Sequence, residues 1–113
     1  MTRYRKLEQP GRVPTDESSL RAVRAQVTAE ALVVDLADGR SVSVPLGWYP
    51  RLLQASAEEQ KAFRLIGSGE GIHWEPLDED VGVEGIVAGR RSQESAESFR
   101  RWLQGRQKRG LVN

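Results

Sequence analysis

The chain has 113 residues, with 17 Lys and Arg against 16 Asp and Glu, one histidine, no cysteine and 38% apolar residues. That length holds one small domain with one core, and the lack of cysteine excludes disulfides, thiolate metal sites and cysteine nucleophiles, while the lone His73 excludes a site built on two imidazoles. The net charge of +1 conceals a division: residues 1–12 sum to +3, residues 13–89 to −7 and residues 90–113 to +5.

Residues 1–19 hold Pro10, Gly11 and Pro14 among mostly polar and basic residues, and read as a flexible basic arm. They contain no apolar run like the core of a signal peptide, and no stretch of the chain nears the roughly 18 apolar residues of a membrane-spanning helix. The expectation is a cytoplasmic protein without membrane contact.

Regular structure is expected from Leu20. Over 21–28, Val23, Ala25 and Val27 alternate with Arg24, Gln26 and Thr28, the period of a half-buried strand. Leu32, Val34 and Leu36 share one face of a second strand over 31–36, and Val42 with Val44 one face of a third over 41–45. Asp38-Gly39 between them signals a hairpin. A two-residue loop would set Leu36 against Ser41 and Val34 against Ser43. A three-residue loop, Ala37-Asp38-Gly39, pairs Leu36 with Arg40, Val34 with Val42 and Leu32 with Val44, and burial selects it. Gly39 then takes the left-handed conformation of a bulge.

Gly47-Trp48-Tyr49-Pro50 reads as a turn, with Pro50 in the first turn of a helix. Ser56 and Glu59 have the spacing of a capping box. Ala62–Ile66 reads as a strand, 67–71 as a glycine-rich loop and 72–74 as extended chain. Asp80–Ala88 is left as either a short helix weakened by Gly82 and Gly85 or an irregular segment. At the end, Ser92 is expected to cap a helix through about Gln104, with Ala96, Phe99, Trp102 and Leu103 on one face and Gly105 as its stop. The fold class is α+β, an antiparallel hairpin or meander packed on short helices, with a C-terminal amphipathic helix. The organisation is a basic arm (1–19), an α+β domain (20–89) and a helix with a basic tail (90–113).

Leu36-Ala37-Asp38-Gly39-Arg40, Val44-Pro45-Leu46, Tyr49-Pro50-Arg51-Leu52 and the run Ile72 to Asp80, followed by Val81, Val83 and Gly89, resemble a bacterial family called domain of unknown function 2442. With the first strand, the resemblance covers about 70 of the 113 residues. It implies a small α+β domain with no established enzymatic activity, and relatives that often look like partners of a toxin-like protein encoded beside them. Some relatives carry a helix-turn-helix domain after this one. Only about 24 residues follow Gly89 here, so that route to DNA is not carried over.

The densest feature is Glu70–Glu84, which holds six acids (Glu70, Glu75, Asp78, Glu79, Asp80, Glu84), no Lys or Arg, and His73. Asp78, Asp80, Glu84 and His73 have the donor chemistry of a hard-metal site, but the EF-hand pattern is missing and no metal or other cofactor is assigned. The plainer reading makes Asp78 or Asp80 the cap of the segment that begins at Val81; a third makes the run an acidic docking surface. The glycine loop lacks the lysine of a phosphate loop, and no nucleophile elbow exists for a serine triad, so no catalytic residue is assigned. Arg51 is expected to pair with the Asp78–Asp80 acids.

Trp48, Tyr49 and Trp74 are either core rings or interface anchors. The function expected is therefore a non-catalytic protein-binding module, antitoxin-like or regulatory, meeting its partner through Trp48, Tyr49, Arg51, Trp74, Asp78, Glu79 and Asp80. The alternative is a nucleic-acid-binding accessory protein using Arg90, Arg91, Arg100, Arg101, Arg106, Lys108 and Arg109. A homo-oligomer is a further expectation, since the apolar stripe of the last helix is large for one small body to cover.

Overall fold

A computed structural model describes residues 20–110; the arm expected over 1–19 lies outside the described residues. Two antiparallel three-stranded sheets follow one another along the chain. The first is β1 (Ala22–Val27), β2 (Ala31–Leu36) and β3 (Ser41–Pro45); the second is β4 (Phe63–Ile66), β5 (Gly71–Trp74) and β6 (Glu79–Gly82). Short helices α1 (Pro50–Leu53) and α2 (Ala57–Lys61) connect them. After β6 come α3 (Val83–Val87) and the 13-residue α4 (Ala96–Lys108). The molecule is α+β, and no helix among the described residues is long and apolar enough to cross a membrane.

The hairpin takes the register that burial requires. Leu32 pairs with Val44 and Val34 with Val42, and the Leu36 N–H donates to the Arg40 carbonyl at 2.7 Å across a three-residue turn. Gly39 sits at φ +96°, where a side chain is strained. Pro50 opens α1, and Ser56 and Glu59 form the reciprocal capping box of α2. β1 departs from its simple alternation. A bulge between Ala22 and Arg24 turns Ala22 inward at 3% exposure and leaves Val23, expected inside, 57% exposed.

Both sheets contribute to one core. Leu32, Val34, Leu36 and Val44 from the first meet Ile72, Trp74 and Val81 from the second, with Leu46, Leu52, Leu77, Val83 and Ile86 around them. The seam between the sheets needs a close backbone approach. The Ala22 N–H donates to the Gly69 carbonyl at 2.7 Å, and a Cβ on Gly69, at φ +108°, would sit 2.4 Å from the Ala22 oxygen. Glycine is therefore required there.

Three expectations for the last third of the chain are corrected. Glu79–Gly82 is a strand, paired residue for residue with β5, and only 83–87 is helical. Gly82 precedes α3 with no side-chain cap, so neither Asp78 nor Asp80 plays that part; Asp78 instead occupies a left-handed turn at φ +51°. The last helix is capped by Ser95, whose hydroxyl accepts from the Ser98 N–H, and it runs through Gly105 to Lys108. Ser92 accepts from the Glu94 N–H ahead of the helix.

Candidate functional site

Charged side chains on this body fall into two groups. The first binds α4 to the domain. Arg51, on α1, donates to both carboxylate oxygens of Glu94, the shortest contact being 2.6 Å, and to the Leu77 carbonyl at 2.8 Å. Arg106, on α4, makes a fork to Glu59 at 2.9 and 3.0 Å, while the same carboxylate closes the capping box at Ser56. Between the two arginines lies the Trp102 ring, with guanidinium carbons 5.2 Å (Arg51) and 4.7 Å (Arg106) from its centroid and Phe99 stacked beside it at 5.8 Å. Arginine hydrogen bonds hold the Glu59 and Glu94 carboxyls below their ordinary pKa.

The second group lines a cleft of about 480 Å³ between β6 and the segment that follows α3. Its lining holds the acids Glu70, Glu79, Asp80 and Glu84 and the bases Arg90 and Arg91, together with Tyr49, Ser92 and Gln93. Local structure explains the arrangement. On β6, Glu79 pairs with Trp74 and Val81 with Ile72, so Glu79 occupies the core-facing register of its strand, at the margin where the core gives way to the cleft. Arg90 is fixed through its backbone. Its N–H donates to the Gly85 carbonyl at 2.8 Å, and its carbonyl accepts from the Tyr49 hydroxyl at 3.2 Å. The Ser92 N–H then donates to the Trp48 carbonyl at 3.1 Å, and the Arg91 guanidinium lies 5.0 Å over the Trp48 ring.

Unlike the first group, only part of this lining is matched among the described residues: Asp80 bonds to His73, Glu70 to Ser68, and Arg91 lies over Trp48. Among the described residues Glu79, Glu84 and Arg90 make no side-chain hydrogen bond or ion pair. Burial pushes the Glu79 carboxyl up to about 7, against the pull of the Arg51 charge and with a further push from Glu94, Asp80 and Asp78. Burial, with the Glu79 charge nearby, also raises the Tyr49 phenol.

The residues singled out from sequence are thus distributed unevenly. Tyr49, Glu79 and Asp80 meet at the cleft, and Arg90 and Arg91, grouped with the basic tail, line it with them. Trp48 is half-buried under Arg91. Trp74 is fully buried in the core, its indole N–H donating to the Gln60 carbonyl at 3.0 Å, and has no surface to offer a partner. Arg51 pairs with Glu94 rather than with Asp78 or Asp80. Asp78 is exposed in its turn, away from the cleft lining. Of the basic set, Arg106 is 4% exposed and committed to Glu59, whereas Arg100, Arg101, Lys108 and Arg109 are exposed, Arg101 reaching Glu97 at 3.2 Å.

His73, on the outer face of β5, is held between Asp80 and Glu75, the latter at 2.8 Å, and both carboxylates raise its pKa. Among the described residues no three histidine or carboxylate side chains are grouped to hold a metal ion. The glycine loop is closed by its own acid, since Glu70 accepts from the Ser68 N–H and hydroxyl at 2.9 and 2.7 Å.

Sequence reasoning missed Glu94 and Glu59 as partners of arginine, and it missed that Glu79 differs from the other acids. A signal for the latter was present: Leu77, Glu79, Val81 and Val83 alternate, with the acid in an apolar register.

Residues 22–92 match the model of a family described as protein of unknown function (DUF2442). No curated protein matches the chain. Two solved structures are similar. A protein of unknown function from Rhodospirillum rubrum shares 32% identity at a TM-score of 0.58, over 66% of this chain and 92% of the other. An uncharacterized protein from Chromobacterium violaceum shares 25% identity at a TM-score of 0.56, over 72% of this chain and 74% of the other.

Proposed function

The chain belongs to the DUF2442 family of proteins of unknown function, and within that family we propose that it is a non-catalytic protein-binding module, antitoxin-like or regulatory, whose docking site is the cleft between β6 and residues 90–93. The observation that carries this reading is the set of charges left unmatched there. Glu79, Glu84 and Arg90 line one open space, and none makes a side-chain hydrogen bond or ion pair among the described residues. Of the three only Glu79 is partly buried; a charge so placed without an ion-pair partner is destabilising to its own fold, and a second polypeptide would supply one. The rim fits the same use, because Trp48 under Arg91 presents an aromatic ring and a guanidinium together, the residue types that anchor protein interfaces.

The favoured partner is a small toxin-like protein encoded beside this one, as the family resemblance implies. A photo-crosslinking residue at Gln93, inside the cleft, is expected to trap one protein species in the native host, and the same residue at Gln104, on the exposed face of α4, is expected to trap none. Equal trapping from both positions, or none from Gln93, overturns the assignment of the cleft.

A second reading has its own observation. Arg100, Arg101 and Lys108 lie on the exposed face of α4, a basic stripe able to lie along a phosphate backbone. It predicts nucleic acid trapped at Gln104 and a duplex affinity that falls steeply with salt.

A further inference from the structure

We propose that the cleft recognises a dipolar stretch of a partner polypeptide, one basic and one acidic side chain close together in sequence, the basic group seated against Glu79 and Glu84 and the acidic group against Arg90 and Arg91. This rests on the protein-binding reading and names the chemistry of what that site takes.

The cleft lining bears both signs of charge. A purely basic segment that satisfied Glu79 and Glu84 would bring like charges against Arg90 and Arg91. A purely acidic one would meet Glu70, Glu79, Asp80 and Glu84. Like charges brought together at an interface are strongly unfavourable and act as a filter on partners. The Arg90 backbone is held by bonds to Gly85 and Tyr49, and among the described residues its guanidinium makes no carboxylate contact within 4 Å. A ligand carrying both signs meets both sets of charges.

The dimensions agree. A space of about 480 Å³ is about 10 Å across if equidimensional, room for about three residues of extended chain. A phosphate or other lone anion would leave the carboxylates unsatisfied, so a nucleic-acid backbone does not suit this site.

The test is an NMR titration of the full ¹⁵N-labelled chain with three blocked tetrapeptides: Ala-Lys-Glu-Ala, Ala-Lys-Lys-Ala and Ala-Glu-Glu-Ala. The mixed peptide is expected to shift the amides of Gly82, Gly85 and Gln93 and to bind about two- to fivefold more tightly than either single-sign peptide, the range of one or two partly exposed ion pairs. Glu79→Gln, which keeps the shape of the side chain, and Arg90→Gln, which removes the charge and shortens it, are expected to abolish that preference separately; the spectrum of each variant reports whether it is folded. If a single-sign peptide binds the cleft as tightly as the mixed one, the dipolar inference is overturned while the docking site stands. If no peptide shifts the cleft amides, both readings fall.

Discussion

The α4 attachment and the cleft are built from the same residue types and differ in whether the charges are matched. At the attachment, the side chains of Arg51, Glu94, Arg106 and Glu59 are 15, 11, 5 and 18% exposed, and each has its counterpart at hydrogen-bond distance. In the cleft, Glu79 is also partly buried but has no such counterpart among the described residues. The carboxyl pKa values record the difference: those of Glu59 and Glu94 lie below the ordinary value and that of Glu79 rises to about 7. A buried charge says little about its role until its partner is found. Paired within the fold it is architecture; unpaired at an opening it is what the docking proposal rests on.

Breaking the attachment should have the largest effect. Arg106→Ala leaves Glu59 without its fork and strips one face of Trp102, and is expected to cost about 3 kcal/mol in urea denaturation. Replacing the pair together, Arg106→Met with Glu59→Gln, should recover much of that loss, because the uncompensated charge is gone. Arg51→Ala follows at about 2 kcal/mol, since it removes the bonds to Glu94 and to the Leu77 carbonyl.

The cleft should respond to pH with the opposite sign to the attachment. The Glu79 carboxyl, whose folded pKa is raised from 4.5 to about 7, binds more protons in the folded state between those values. Its burial therefore destabilises the fold above pH 7, and the penalty fades as pH falls toward 4.5. Glu79→Gln is expected to be more stable than the natural chain at pH 8 by about 1 kcal/mol, less than full linkage would give because solvent reaches the carboxylate, and to match it at pH 5. Glu59 and Glu94 have depressed values, so what they contribute is present above their unfolded pKa and lost as pH falls through the folded one.

Two smaller effects complete the series. Arg101→Ala, which removes the exposed pair to Glu97, should change stability by less than about 0.5 kcal/mol. Asp80→Asn should lower the His73 pKa toward its ordinary value in an NMR titration, since the Asp80 hydrogen bond is the largest cause of its rise.

What could be read from the sequence was what local pattern controls. The three-residue turn follows from burial choosing a register, and the Ser56–Glu59 box and the Pro50 start are contained within four residues each. The family resemblance rested on the Tyr-Pro-Arg-Leu and His-Trp-to-Asp motifs, and the family match covers both. Long-range pairing was not legible. Arg51 finds Glu94 43 residues away and Arg106 finds Glu59 across 47, and no spacing rule selects those acids from 16. β6 was missed because its core-facing register holds an acid, Glu79, beside Val81, which hides the alternation, and the bulge in β1 exchanged Val23 for Ala22 at the core. The serine cap was misplaced because Ser92, Ser95 and Ser98 repeat at the spacing of a helical turn, so that spacing alone does not single out Ser95.

The division between the two regions is tested most directly by thermal unfolding at pH 6 of the double variant Glu79→Gln with Arg90→Gln, compared with Arg106→Ala and the natural chain. Charges kept for a ligand hold nothing in the fold, so the cleft variant should melt within about 3 °C of the natural chain, or above it, while Arg106→Ala melts more than about 10 °C lower. A cleft variant that falls as far as Arg106→Ala would contradict the division and make the cleft charges structural.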